Sequence, residues 1–348
     1  MSTRTGIFWT RDPTQEVPQN KCKDARFMWI EPVSQNLIKG QLERFANAAG
    51  AESVRIPAYG FGTWDADGLA RDSEKIVMHL HGGTYIHGTA HPEDATSYIS
   101  RHLLKWGQSI GLSRTLSIDY RICAISPFIT GPPTTFASPF LDALAGYIHL
   151  THKLNFKPQN IIIAGDSAGA HLALALVRYI RDNPDLGLST PGGLLLFSPW
   201  ADPMGTQYEF GSGRGPENSG TCDFIDFWSK SDYSVGVYAK KALFSRIGLT
   251  PEEASRNPYV TPASVKFKAK ELDGLFTEFP PTYIVGGDAE SLVNEIRILA
   301  HRMSNDMPEG TVMYEEVADA IHDFVLFPSW EPERSSTFKR IIEWIGRL

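Results

Sequence analysis

The sequence predicts an α/β fold in which a mostly parallel central sheet is flanked by helices. Short apolar runs recur along the chain, Gly-rich turns follow several of them, and apolar residues at a helical period follow the turns. The first such run is Ile76-Val77-Met78-His79-Leu80, which leads into His81-Gly82-Gly83-Thr84-Tyr85. Next comes Ile161-Ile162-Ile163, followed by Gly165-Asp166-Ser167-Ala168-Gly169 and then by alternating Ala and Leu that read as a helix. Gly193 to Ser198 is a third strand candidate. Pro281 to Val285 is a fourth and runs into Gly286-Gly287-Asp288-Ala289-Glu290. Val312 to Val317 reads as the last strand, and His322 lies on the loop between it and a closing amphipathic helix. No internal repeat or low-complexity tract is evident.

The turns carry chemistry as well as topology. A Gly-x-Ser-x-Gly turn between a strand and a helix is a nucleophile elbow, whose sharp bend holds the serine hydroxyl up at the end of the sheet. Gly165 and Gly169 are needed because the bend brings strand and helix too close for a Cβ. The glycines after Leu80 leave backbone N–H groups unshielded, as stabilising an oxyanion requires. Gly82, Gly83 and Ala168 fit that task. Two carboxylates, Asp288 and Glu290, follow the fourth strand, and His322 follows the fifth, so serine, acid and histidine occur in the order such hydrolytic sheets use. Taken singly, each motif is also an ordinary turn or a surface histidine. Their joint order favours the catalytic reading.

Composition fits a single-domain enzyme. The 348 residues are 42% hydrophobic and 11% aromatic, enough for a large core. A net charge of −7 argues against nucleic acid or an anionic membrane as partner. Cys22, Cys123 and Cys222 form an odd, sparse set with neither metal-ligand spacing nor a disulfide framework. No signal-like stretch opens the chain and no run of about twenty apolar residues occurs, so a cytoplasmic protein without a membrane span is expected. Neither a metal nor an organic cofactor is expected.

His81-Gly82-Gly83, Asp119-Tyr120-Arg121, Gly165 to Gly169, Ser198-Pro199-Trp200, the acid loop and His322-Asp323-Phe324 together resemble the hormone-sensitive-lipase-like branch of the α/β-hydrolases over about residues 75 to 345. The resemblance implies a serine carboxylesterase with Ser167 as nucleophile, His322 as general base, and Gly82, Gly83 and Ala168 as the oxyanion hole. The family acid motif Asp-Pro-Leu-x-Asp-Glu lies on Glu290-Ser291-Leu292-Val293-Asn294-Glu295, which implies Glu290 as the triad acid in place of Asp288. Three departures stand out: Thr84 where the family has a third Gly, Ile122-Cys123-Ala124-Ile125 after Asp-Tyr-Arg, and Glu for Asp in the triad.

Two segments are expected to lie outside the sheet: residues 1–72, contributing to a cap, and the insertion 201–268, a mostly helical lid. The catalytic domain is then 73–200 with 269–348. Gly211-Ser212-Gly213-Arg214-Gly215-Pro216 is a candidate hinge. Phe224, Phe227, Trp228, Tyr233, Tyr238 and Phe244 are candidates for an apolar inner wall or for ordinary core. The expected substrate is a short- to medium-chain carboxylic ester. An acyltransferase, lactonising enzyme or amidase would use the same acyl-enzyme, and a catalytically silent receptor resembling the plant gibberellin receptors is a third reading. A homodimer remains an open option.

Overall fold

Strands that are apolar on both faces must be covered on both faces, and Ile76–Leu80, Ile161–Asp166 and Gly193–Phe197, polar only at His79 and Asp166, are buried throughout. The computed structural model describes residues 16–125, 133–210, 212, 223–225 and 234–348. Among these, one sheet contains β1 (Ala25–Ile30), β2 (Ile56–Gly62), β3 (Ile76–Leu80), β4 (Arg114–Ile118), β5 (Ile161–Asp166), β6 (Gly193–Phe197), β7 (Thr282–Gly287) and β8 (Val312–Val317). Their spatial order is β1-β2-β4-β3-β5-β6-β7-β8. Every pairing from β4 across to β8 is parallel. β1 and β2 add to the β4 side in antiparallel register.

The helices are α1 (Gly40–Ala49), α2 (Ser97–Gly107), α3 (Ala137–Ile148), α4 (Ala168–Asp182), α5 (Val235–Phe244), the single turns α6 (Pro251–Ala254) and α7 (Ala269–Leu272), α8 (Val293–Asp306) and α9 (Glu333–Arg347). One core joins Phe45 of α1, Phe140 of α3, Leu172 of α4 and Ile296 of α8 to Met78, Ile163 and Leu196 of the sheet. A second joins Ile99 of α2 and Phe338 of α9 to Val77, Ile162 and Leu195, which alternate with the first set along the same strands.

One expectation needs correcting. Within residues 1–72, Ala25–Ile30 and Ile56–Gly62 belong to the sheet, with α1 between them: β1 pairs with β2, and β2 with β4. The half-buried Phe27, Met28 and Trp29 belong to an outer strand, where aromatics shield one face. Residues 1–15, with Trp9, lie outside the described residues, as do Cys222, Phe227, Trp228, Tyr233 and the proposed hinge apart from Ser212. The insertion enters between β6 and β7 and contains α5 and α6. Of its described aromatics, Tyr238 and Phe244 pack on the main core, whereas Phe224 borders a cavity above the sheet ends.

Candidate active site

β5 ends at Asp166, and Ser167 follows with φ 51° and ψ −114°, a costly conformation for a residue with a Cβ. Its backbone is held there from both sides. Its N–H donates to Phe197 O at 2.9 Å, and its carbonyl accepts from Trp200 N–H at 3.1 Å and His171 N–H at 3.2 Å. The flanking glycines are obligatory: a Cβ on Gly165 would lie 2.3 Å from Gly169 O, and one on Gly169 2.0 Å from Leu80 O.

Glu290 and His322 arrive on the loops after β7 and β8, and both are buried. Glu290 Oε2 lies 2.8 Å from His322 Nδ1, while its Oε1 accepts Gly287 N–H at 2.9 Å. Burial pushes the Glu290 carboxyl up, and the His322 hydrogen bond partly offsets this. Asp288 points elsewhere: its Oδ1 accepts Asp319 N–H at 2.6 Å and so braces the loop that carries His322. The other imidazole nitrogen, His322 Nε2, has no aligned hydrogen-bond partner among the described residues, although Asp323 Oδ2 stands 3.3 Å away. Burial disfavours the imidazolium, but Asp323, Glu290 and Asp223 outweigh it and lift the His322 pKa to about 10. Asp323 is itself pushed well above the usual carboxylate range by burial, against the pull of His322. Sequence reasoning quoted Asp323 without giving it a role.

The Gly-rich loop departs from expectation at one donor. Gly82 N–H is already committed to Asp166 Oδ2 at 2.8 Å, and a Cβ on Gly82 would lie 2.4 Å from that oxygen. Gly82 is therefore a close-approach residue and not an oxyanion donor. The other oxygen of Asp166, Oδ1, lies 2.8 Å from His79 Nε2, so Asp166 ties the elbow to β3 through His79 and to the loop through Gly82. Gly83 and Thr84 follow with φ of 108° and 57° and border the cavity with Ser167. The Gly83 carbonyl is held by His87 N–H at 2.9 Å and Ile86 N–H at 3.0 Å. Ala168 is the first residue of α4, where backbone N–H groups have no intrahelical acceptor. The unusual Ile122-Cys123 segment still supports the loop, since Cys123 N–H donates to Tyr85 O at 2.6 Å.

The cavity measures about 180 Å³ and is bordered by Gly83, Thr84, Ser167, Phe224, His322 and Asp323. No cluster of three metal-ligating side chains occurs among the described residues.

Residues 77–326 match the family model of the alpha/beta hydrolase fold. The chain belongs to that family. An esterase of Acinetobacter venetianus is 25% identical over 276 residues, 79% of this chain and 75% of the relative. An acetyl-hydrolase of Streptomyces hygroscopicus is 32% identical over 134 residues, 38% of each chain. Among solved structures, an esterase from the bacterial hormone-sensitive lipase family superposes with a TM-score of 0.62 at 22% identity, covering 93% of this chain and 84% of its own. The α/β-hydrolase expected from the motifs is borne out, and the likeness to the hormone-sensitive lipase family structure is one of fold. No helix among the described residues is long and apolar enough to cross a membrane.

Proposed function

We propose that the protein is a serine esterase that hydrolyses short- to medium-chain carboxylic esters through an acyl-enzyme on Ser167. Hydrolysis of a carboxylic ester has the support of the family match and of the esterase relative. The observation that carries the mechanism is the 2.8 Å contact of Glu290 Oε2 with His322 Nδ1, beside a cavity that also holds the elbow serine. That contact fixes the tautomer with Nδ1–H donating to Glu290, so Nε2 is the acceptor for the Ser167 hydroxyl proton. The serine oxygen attacks the ester carbonyl, and the N–H groups of Gly83, Thr84 and Ala168 receive the oxyanion. His322 then returns the proton to the departing alcohol. Water, deprotonated by His322, releases the acid.

A cavity of about 180 Å³ bordered by Phe224, Ile225 and Val235 favours a small acyl group. Only three cysteines occur in 348 residues, a sparse set that fits a reducing compartment such as the cytoplasm. The test is Ser167→Ala assayed on p-nitrophenyl esters of rising chain length, with a fluorophosphonate as active-site label. Wild type is expected to be labelled at Ser167 and to lose activity beyond roughly eight to ten acyl carbons, where the acyl chain outgrows such a pocket. The variant is expected near background. More than a few per cent of residual turnover, or interfacial activation on emulsified triglyceride, would contradict the reading.

A further inference from the structure

Asp223 lies in the insertion between β6 and β7, far in sequence from the loops that bear Glu290 and His322. Its carboxylate nonetheless meets both loops. Oδ2 accepts the backbone N–H of Ser291, the residue directly after Glu290, at 2.7 Å. Oδ1 accepts the backbone N–H of His322 itself, at 3.3 Å, and that of Phe224 at 2.9 Å. The same short stretch makes a second tie to the acid loop, where Ser291 Oγ donates to Ile225 O at 2.8 Å. Phe224, held beside this carboxylate, packs edge-to-face on Phe327 at 5.3 Å and stands 6.1 Å from the His322 ring.

From this geometry we infer that Asp223 is a positioning residue for the proposed esterase reaction, one carboxylate clamping the acid loop to the base loop. The inference rests on the triad reading given above. The β7 and β8 strands set where these loops begin, but the backbone at Ser291 and His322 lies beyond the ladder, and β8 is the outermost strand. Asp288 Oδ1 with Asp319 N–H and Ala320 O with Ala289 N–H tie the two loops near the strand ends, and Asp223 adds a bridge at the backbone of His322 and of the residue after Glu290. An anionic acceptor facing two N–H donors forms strong, directional bonds for that purpose. Its charge also acts on the imidazole. The groups facing His322 are Glu290 from the β7–α8 loop, Asp323 from its own loop and Asp223 from the insertion, with Asp223 adding to the negative field that favours the charged ring. Asp166, beyond them, is paired with His79, and His87 borders the same cavity.

The experiment compares Asp223→Ala, Asp223→Asn and Phe224→Ala with wild type for kcat, KM and the pH dependence of kcat/KM on p-nitrophenyl butyrate. It also records the low-field proton resonance of His322 Nδ1–H. Asp223→Ala is expected to lower kcat by about tenfold to a hundredfold, the penalty of a slightly misplaced catalytic group. KM should change little, the rising pH limb should move to lower pH, and the low-field resonance should broaden or shift. Asp223→Asn keeps an acceptor oxygen and loses the charge, so it should recover most of kcat while retaining the shifted limb. Phe224→Ala should raise KM and leave the limb in place. A wild-type kcat, limb and resonance in Asp223→Ala would overturn the inference, as would an effect confined to KM. If wild type cleaved no ester, the esterase reading would fail, and the resonance alone would still decide whether Asp223 orders the His322–Glu290 pair. Poor folding of the alanine variant leaves the asparagine variant to decide, since an unshifted limb there would overturn the role.

Discussion

Two buried imidazoles lie close to Ser167 in this fold, and they end at opposite extremes. His171, one turn along α4 from the elbow, and His322, on the loop after β8, are 0% and 1% exposed. Burial works against a charged ring in both. Yet His171 is driven down to about 4, while His322 is lifted to about 10. The difference lies in what faces them. His171 meets the Tyr85 hydroxyl at Nδ1 (2.7 Å) and the Val260 carbonyl at Nε2 (3.0 Å), neutral groups that need a neutral ring with Nε2–H donating. His322 meets the carboxylates of Glu290 and Asp323, with Asp223 nearby. One region is a staple that ties the Gly-rich loop, α4 and the insertion together. The other is built to hold and release a proton.

The sharpest way to break this contrast is to remove the acid. Glu290→Gln should lower kcat by about a thousandfold or more, because an amide at Nδ1 favours the wrong tautomer. The variant should fold normally and still show a native thermal transition. Asp288→Asn should cost about 1 kcal/mol of stability or less and leave kcat nearly intact, since an asparagine oxygen can still accept Asp319 N–H. Single-turnover kinetics on both variants check this. The reverse ranking would hand the acid role to Asp288.

The next effect concerns stability at low pH and tests the staple. A histidine whose folded pKa is depressed stabilises the fold fully above its unfolded value of 6.5 and loses that contribution as pH falls through about 4. For His171 the loss amounts to about 3 kcal/mol by pH 4. Urea unfolding at pH 7, 5.5 and 4 measures it, with His171→Gln as comparison, because glutamine can keep both bonds and does not titrate. His149, also held near 4 by burial, titrates in both proteins, so the difference between them isolates His171. Parallel loss in the two would mean that His171 is not the source.

What was legible in the sequence follows the same division between packing and pairing. β3, β5, β6 and β7 announce themselves as mostly apolar runs because they are buried strands in the interior of the sheet, whereas β8, the outermost strand, is only partly buried and carries Glu315 and Glu316. β4 does not announce itself, since Arg114 opens it. That buried guanidinium is matched by Glu74 at 2.6 Å and by the carbonyls of Gly68 and Leu69, partners no local pattern reveals. β1 and β2 hide for a different reason: they are antiparallel additions, and the half-buried aromatics of β1 resemble cap residues. Within the site, the positions of Ser167, Glu290 and His322 could be read from motif order and register. The role of Gly82 could not, because its N–H is consumed by Asp166, 84 residues away. An acidic residue directly before the elbow serine, with a histidine inside the strand next door, is the signal that would have found that brace.

The smallest effect concerns the second carboxylate on His322. Asp323 Oδ2 stands 3.3 Å from Nε2, the nitrogen that must be free to take the Ser167 proton, and Asp323 Oδ1 has no hydrogen-bond partner among the described residues. While the imidazole and this carboxyl hold a proton between them, Ser167 has no base, so kcat/KM should rise with pH as that proton is removed. Replacing the acid by Asp323→Asn keeps the shape and removes the attraction for the imidazolium. Opposite charges at such range shift a pKa by about one to three units, and the exchange should move the rising limb to lower pH by about one unit. Activity at neutral pH should then increase relative to the alkaline plateau, while the plateau itself stays within about twofold, since no group that contacts the oxyanion is altered. The kcat/KM profile carried from about pH 5 to about pH 11, past the wild-type limb, measures both. A limb that does not move would mean that Asp323 is neutral over the whole range, its own carboxyl raised by burial, and that Glu290 with Asp223 alone sets His322 apart from His171.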